Sequence, residues 1–327
     1  MSHSRLTLAA DEHGLPVSGD GRIAVFGPRA EYDLSALPKD RCQIIQPLKP
    51  DHEAFAQSGY TCDVAAEGPF AMAVVVLPRA KAQARDMLAQ AAQMAELVVV
   101  DGQKTDGIDS ILKACRKEAE VETVVSKAHG KLFWFRDADL SDWRAPAATT
   151  LDSGFITKAG VFSADGIDPA SEALADALPK KLGRVVADLG AGWGYLSANI
   201  LAREGVDELH LVEADHVALE CARRNVADSR AQFHWADATN WVLKTPINTV
   251  VMNPPFHTGR KAEPGLGIAF IQTAARVLTP SGHLWMVANR HLPYETTLEA
   301  CFAKVEEVAG DNRFKVLHAQ RPSRKRR

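Results

Sequence analysis

The sequence has no C-x-x-C pair. Its five cysteines, Cys42, Cys62, Cys115, Cys221 and Cys301, are odd in number and far apart. That spacing excludes a zinc knuckle, a redox dithiol and a disulfide framework, and reads as the reduced thiols of a cytoplasmic protein. Long apolar runs are missing too. The longest, such as residues 72–77 and 97–100, fall far below the ~18 residues a membrane span needs. The opening MSHSRLTLAADEHG has no apolar stretch of signal-peptide length and turns acidic at Asp11 and Glu12, so export is not expected. Nor does one sign of charge prevail. The 38 Lys and Arg face 41 Asp and Glu, net -3, and that figure alone gives no reason to expect a nucleic-acid partner. No G-x-x-x-x-G-K-[ST] occurs, which rules out a P-loop.

What is present is the composition of a globular protein, 327 residues long with 46% hydrophobic and 24% charged residues. At roughly 100–200 residues per domain, the length suggests two. The segment 144–150, Arg-Ala-Pro-Ala-Ala-Thr-Thr, has no periodicity and reads as a linker. We therefore expect one domain over 1–145 and a second over 151–320, followed by a basic tail at 321–327. Residues 1–150 hold 17 basic and 21 acidic side chains, whereas 151–327 hold 21 and 20. Five of the latter positive charges sit in the closing RPSRKRR. Such a tail is a solubilising end or an electrostatic hold on phosphates.

Both halves alternate strand-like and helix-like patterns, which implies largely parallel sheets with helices on their faces. In the first half, strands are expected over 22–26, 42–46, 71–77, 97–101, 121–126 and 131–135, with helices over 79–95 and 108–119. In the second, strands are expected over 185–189, 208–213, 232–235, 249–252, 284–288, 305–308 and 314–318. Helices are expected over 169–178, 195–203, 216–227, 266–278 and 294–302. Gly310-Asp311-Asn312 fits a hairpin, so that sheet should end on an antiparallel strand.

Asp188-Leu-Gly190-Ala191-Gly192-Trp-Gly194-Tyr195 lies between a strand and a helix. A dinucleotide fingerprint would need glycine where Tyr195 stands. The D-x-G-x-G-x-G pattern instead resembles motif I of the class I S-adenosylmethionine-dependent methyltransferases. The resemblance implies that the loop cradles the methionine and ribose portions of the cofactor, with Asp188 near the ammonium group, directly or through water. Glu213 ends the next strand, where a carboxylate can accept from both ribose hydroxyls. Asp237, followed by Ala238, ends the third and can accept from the adenine amine. The expected cofactor set is Asp188, Gly190, Ala191, Gly192, Gly194, Glu213, Asp237, Ala238 and Asn253. No metal is required.

Asn253-Pro254-Pro255-Phe256 follows the fourth strand. Alone it would be a rigid turn, because two prolines fix φ and remove two donors. Behind this strand it is similar to the N-P-P-[FY] motif of amino-group methyltransferases. A ring-conjugated amine is a poor nucleophile, since its lone pair is delocalised. The Asn253 side-chain carbonyl and the Pro254 main-chain carbonyl can each accept one of its N–H bonds and aim that lone pair at the methyl group. Asn253, Pro254 and Phe256 are the expected catalytic residues, with Phe256 stacking on the base for roughly 1–3 kcal/mol. Pro255, Phe256, His257, Arg260 and Lys261 are the expected substrate contacts; a loop-shaping part for His257, and plain surface charge for Arg260 and Lys261, remain open.

The motif leaves adenine, cytosine, guanine and protein glutamine open as acceptors. The segments 160–166 (GVFSADG), 253–259 (NPPFHTG), 287–294 (VANRHLPY) and 313–316 (RFKV) resemble the RsmC-type 16S rRNA guanine-N2 methyltransferases. The likeness is strong over about 151–320 and weak before it. That family carries two tandem methyltransferase-like domains, the first degenerate. Here the first half offers only Phe26-Gly27-Pro28-Arg29 in place of a glycine loop, and Pro78-Arg79 in place of Asn-Pro-Pro-Phe. The resemblance implies two tandem Rossmann-like α/β domains, the second with a mostly parallel seven-stranded sheet and an antiparallel last strand. It also implies a first domain without cofactor, which positions RNA or supports the second. The expected activity is transfer of a methyl group to N2 of one guanine in 16S rRNA, within the small ribosomal subunit, by a cytoplasmic monomer. A stacked, paired guanine cannot present N2, so the base must be flipped or its helix opened. The competing readings are a guanine-N2 methyltransferase of large-subunit rRNA and a non-catalytic RNA-binding assembly factor on the same scaffold. A protein-glutamine methyltransferase fits the duplicated plan less well.

Overall fold

The computed structural model describes residues 4–255 and 264–323. The chain divides into two compact units, 1–147 and 148–327. The first holds helices α1 (Arg5–Glu12), α2 (Lys49–Gln57), α3 (Lys81–Met94) and α4 (Ile108–Glu118). Its strands are β1 (Ile23–Phe26), β2 (Cys42–Ile45), β3 (Thr61–Asp63), β4 (Phe70–Val76), β5 (Ala95–Gln103), β6 (Val121–Lys127) and β7 (Gly130–Arg136). They form one sheet in the order β3-β2-β1-β4-β5-β7-β6, in which β7 alone runs antiparallel to its neighbours.

The second unit opens with a two-stranded ribbon, β8 (Thr149–Thr150) and β9 (Ile156–Thr157). Its helices are α5 (Pro169–Ala177), α6 (Tyr195–Leu201), α7 (His216–Asn225), α8 (Pro264–Val277) and α9 (Glu295–Cys301). The strands are β10 (Val185–Leu189), β11 (Glu208–Glu213), β12 (Ala231–Trp235), β13 (Ile247–Met252), β14 (Leu278–Asn289), β15 (Phe302–Gly310) and β16 (Phe314–Pro322). Their order, β12-β11-β10-β13-β14-β16-β15, repeats that of the first unit, and the final strand is inserted antiparallel between β14 and β15. The fold is thus α/β with two tandem Rossmann-like sheets.

The central strands are apolar on both faces because helices cover both. Val186, Ala187, Leu211, Val250 and Val251 are fully buried. One face packs Leu174 of α5 and its C-cap Leu178 with Leu196 and Ile200 of α6, and the other packs Phe270, Ile271 and Ala274 of α8. Truncating a residue such as Leu174 would cost about 2–5 kcal/mol.

Several elements depart from the sequence expectation. Helices α1 and α2 and the strand β3 were not foreseen, and the reason is the same in each. α1 buries only Leu6 and Ala9, α2 buries Phe55 with Asp51, and β3 is a three-residue edge. So little apolar face leaves no periodic signal. The helix expected over 266–278 ends at Val277, and Leu278, Thr279, Pro280, Ser281 and Gly282 already belong to β14. Leu278 pairs with Ile247 across a register shift, so the Pro-Ser-Gly turn signal marks an irregularity within a strand rather than its start.

Candidate active site

The carboxyl ends of β10, β11, β12 and β13 gather the acidic residues, the glycine loop and the asparagine turn at one sheet edge. That is where open α/β sheets bind ligands. Asp188 pairs across β10 with Leu211 and Val251 and is fully buried. Its Oδ2 accepts the Ser197 hydroxyl of α6 at 2.7 Å. Its Oδ1 is buried with no partner among the described residues. Burial, partly offset by Ser197 and reinforced by the Glu213 charge, pushes this carboxyl up to about 7. Asp188 therefore lies beneath the loop rather than on its open face, as a buried acid short of one hydrogen-bond donor.

The loop folds back on β11. The amides of Gly190 and Ala191 both donate to the Val212 carbonyl, at 2.8 and 3.1 Å. The Gly192 amide donates to Glu213 Oε2 at 2.7 Å, and Glu213 Oε1 accepts the Asp215 amide at 2.8 Å. Burial raises the Glu213 carboxyl to about 7, against the pull of these amides. Each oxygen has one lone pair engaged by the backbone and another left for a hydroxyl. The glycines have different causes. Gly194, at φ +93°, would put a Cβ 2.9 Å from Val226, so it is glycine for the packing of α6 on α7. Gly192, at φ +55°, would meet nothing within 4 Å, so it keeps a cradle open. An orphaned buried carboxylate oxygen under the loop, an open cradle on it and a carboxylate with spare lone pairs suit a cofactor with a cationic amino-acid part and a ribose.

Asp237 is half-buried beside buried Ala238. Its Oδ1 accepts both the amide and the hydroxyl of Thr239, at 2.8 and 2.7 Å. Its Oδ2 has no hydrogen-bond partner among the described residues. Trp193, inside the glycine loop, is turned into a satellite core with Val161, Ala218 and Cys221. Its Nε1 donates to the Phe162 carbonyl at 2.9 Å, which pins the 160–163 turn beside the glycine loop.

Asn253 shows a feature that the sequence did not disclose. Its Nδ2 donates to Asp168 Oδ2 and to Ser171 Oγ, both at 2.9 Å. Asp168 is the N-cap of α5 and also accepts the Ser171 amide at 2.8 Å. A carboxylate only accepts, so the amide nitrogen must face it, and the carbonyl Oδ1 is turned the other way. Among the described residues nothing donates to that oxygen. Asp168 and Ser171 were missed as site residues. The Asp-Pro-x-Ser pattern reads as an ordinary helix cap, and only the tertiary fold brings it to Asn253. Pro254 is buried and Pro255 exposed. Phe256, His257, Arg260 and Lys261 lie outside the described residues.

Among the described residues no cluster of His, Cys, Asp and Glu is arranged to hold a metal ion, and no helix is long and apolar enough to cross a membrane. The ribosomal RNA small subunit methyltransferase C of Hahella chejuensis is 29% identical over 324 residues, covering 92% of this chain and 94% of its own. The ribosomal RNA large subunit methyltransferase G of Aeromonas hydrophila is 33% identical over 167 residues, 49% of this chain and 44% of its own. Among solved structures, the T. thermophilus 16S rRNA N2 methyltransferase RsmC, in complex with AdoMet and guanosine, matches with a TM-score of 0.78. It is 24% identical and covers 93% of this chain and 89% of its own, a likeness of fold across both units. The model of the methyltransferase small domain matches residues 152–318, which takes in every candidate site residue described above. With that match over half its length, the chain belongs to the methyltransferase small domain family.

Proposed function

We propose that the chain is an S-adenosylmethionine-dependent rRNA methyltransferase that methylates the exocyclic N2 amine of a specific guanine in 16S rRNA. The observation that carries this reading is the Asn253 amide, held by Asp168 and Ser171 so that its carbonyl oxygen is free to accept. Such a site selects an N–H donor and disfavours a ring carbonyl in the same place. The likeness to a small-subunit enzyme over 92% of this chain, together with the fold of a solved 16S rRNA enzyme over 93% of it, supports 16S rRNA; a large-subunit relative that also aligns over 92% of this chain, at 27% identity, makes large-subunit rRNA the alternative.

S-adenosylmethionine supplies an electrophilic methyl group on a sulfonium. Asp188 sets a buried negative charge beneath the glycine loop, Glu213 receives the ribose hydroxyls, and Asp237 with Ala238 bounds the adenine. Asn253 Oδ1 and the Pro254 carbonyl accept the two amine hydrogens. This holds the nitrogen lone pair in line and favours its pyramidal form. The N–C bond forms as the S–C bond breaks, and the surplus proton leaves the product ammonium for water. By the motif alone, Phe256 is the expected stacking partner of the flipped base, and Pro255, His257, Arg260 and Lys261 are expected substrate contacts. The first unit, 1–147, binds no cofactor and supports the second or positions RNA. The protein works in the cytoplasm as a monomer on the small ribosomal subunit.

The test uses labelled cofactor and small subunits from cells lacking the activity. Asn253→Ala is expected to lower methyl transfer by about 10²–10³-fold, with cofactor affinity by calorimetry changed only a few-fold. Equal labelling by the variant, or a methyl group mapped away from guanine N2, overturns the proposal.

A further inference from the structure

The function above leaves two of the sequence segments, 287–294 and 313–316, without a task. In the structure they meet. Asn289, Arg290, His291, Asn312, Arg313 and Phe314 line an open groove of about 540 Å³, where β14 ends and the β15–β16 hairpin turns. Its place follows from the sheet register. Met252 pairs with Met286, so Asn253 stands level with Val287, and Asn289 reaches two residues farther, about 7 Å beyond the acceptor turn. The groove is one to two strands to its side, about 5–10 Å away. A polynucleotide with one base at Asn253 therefore has its neighbouring residues within reach of this spot.

The two arginines differ. Arg290 is committed: its guanidinium donates to the Asp311 and Phe314 carbonyls and pairs with Glu307 at 2.8 Å, which ties the hairpin to the end of β14. Arg313 is not. Its Nε has one 3.3 Å contact with Asp311, whose Oδ1 is already taken by the Arg313 and Phe314 amides. The terminal nitrogens of Arg313 have no partner among the described residues, its side chain is 63% exposed, and it lies 5.2 Å from the Phe314 ring centroid. His291 and Asn312 are exposed and Asn289 half-exposed, each without a side-chain partner among the described residues. A planar fork of donors flanked by an imidazole and two carboxamides matches a phosphodiester with its ribose hydroxyl.

We propose that this groove holds the RNA backbone beside the target guanine, with Arg313 on the phosphate and His291, Asn289 and Asn312 on the ribose-phosphate edge. The proposal rests on the rRNA methyltransferase reading. Glu307 is paired with Arg290, and Asp311, held by two backbone amides, keeps a single 3.3 Å ion pair with Arg313 Nε, which leaves the terminal nitrogens of that guanidinium to the anionic ligand.

The test measures the enzyme's affinity for small subunits across a potassium chloride series. Each lost phosphate contact lowers the slope of log K against log salt by about 0.7–0.9. Arg313→Ala is expected to lower it by one such step and raise KM for the subunit roughly 10-fold. Its kcat at saturation should change less than twofold, and Arg313→Lys should restore part of the loss. His291→Ala should raise KM less than Arg313→Ala does. Arg184→Ala, on the opposite sheet edge in an exposed pair with Asp207, controls for bulk charge and should leave the slope unchanged. An unchanged slope in Arg313→Ala, or an equal fall in Arg184→Ala, overturns the groove. Neither outcome bears on the Asn253 test. Conversely, a methyl group found away from guanine N2 ends the functional reading while the salt slope still reports on the groove.

Discussion

The two sheets share one strand order, and their registers allow position-by-position matching. Leu189 pairs with Val212 and Met252, as Phe26 pairs with Ile45 and Val75. By that register Val25 stands where Asp188 does, Gln46 where Glu213 does, Val76 where Asn253 does and Leu77 where Pro254 does. Arg29 takes the place of Gly192, and Ala66 that of Asp237. Even the loop hydrogen bond is kept, since the Gly27 amide donates to the Ile45 carbonyl as Gly190 does to Val212. The scaffold was retained while the groups that recognise ligand differ.

Gln46 shows how that difference is stabilised. Glu213 faces two backbone N–H groups, so an acceptor-only carboxylate fits. Gln46 accepts the Leu48 amide at 2.9 Å but donates to the Pro28 carbonyl at 2.7 Å, so a carboxamide fits and a carboxylate would not. The glutamine–glutamate exchange thus stands beside Val25, Arg29, Ala66 and Val76 among the differences that set the first unit's turn apart from the second's.

Exchanging the pair should break each unit in its own way. Glu213→Gln sets an NH₂ against a backbone N–H and should weaken cofactor binding about 100-fold, the order of one lost charged hydrogen bond plus one clash. Gln46→Glu should destabilise the first unit by about 1–3 kcal/mol and create no second cofactor site, so titration calorimetry should still give one cofactor per chain. A stoichiometry of two would refute the assignment of the first unit.

The next expected effect concerns the asparagine clamp, which the first unit lacks because Val76 has no amide to orient. Asp168→Ser keeps an N-cap of equal quality but is too short to hold Asn253 as well. The melting temperature and cofactor affinity should hold while kcat falls about 10-fold. An unchanged kcat would make Asp168 a helix cap and nothing more.

The smallest effect is in pH. Asp188 and Glu213 keep protons in the folded chain up to about 7, whereas unfolded carboxyls release theirs near 4. The folded state thus binds more protons between those values, and the cofactor-free chain loses stability as pH rises from about 4 to 7. Affinity for the cationic cofactor should rise several-fold over the upper part of that window, as the two acids ionise. Thermal melts with and without cofactor at pH 6 and 8 check this. Positions 25 and 46 do not titrate, so Glu213→Gln should flatten much of the trend and Gln46→Ala should not.

The acids at successive strand ends, the three glycines and the asparagine-proline turn are local in sequence, and the alternation of strand and helix patterns fixes the sheet on which they stand. Long strands bury both faces and leave continuous apolar runs, so they are legible. α1, α2 and β3 bury too few side chains to leave a pattern. The tail was read as 321–327, yet β16 extends through Pro322, because its partners in β15 are set by a pairing that no local composition reveals.

Chemistry written in neighbouring residues was thus determined by the sequence alone: the glycine loop, the acceptor turn and the lack of their counterparts in the first half. The tertiary structure decided which carboxylate turns Asn253, which way Trp193 faces, and that residues 289–291 and 312–314 share one groove. Those facts join residues from about 20 to 85 positions apart. Hydrogen bonds and packing act across space, and a linear pattern records only the contacts that fall within a turn or two of the chain.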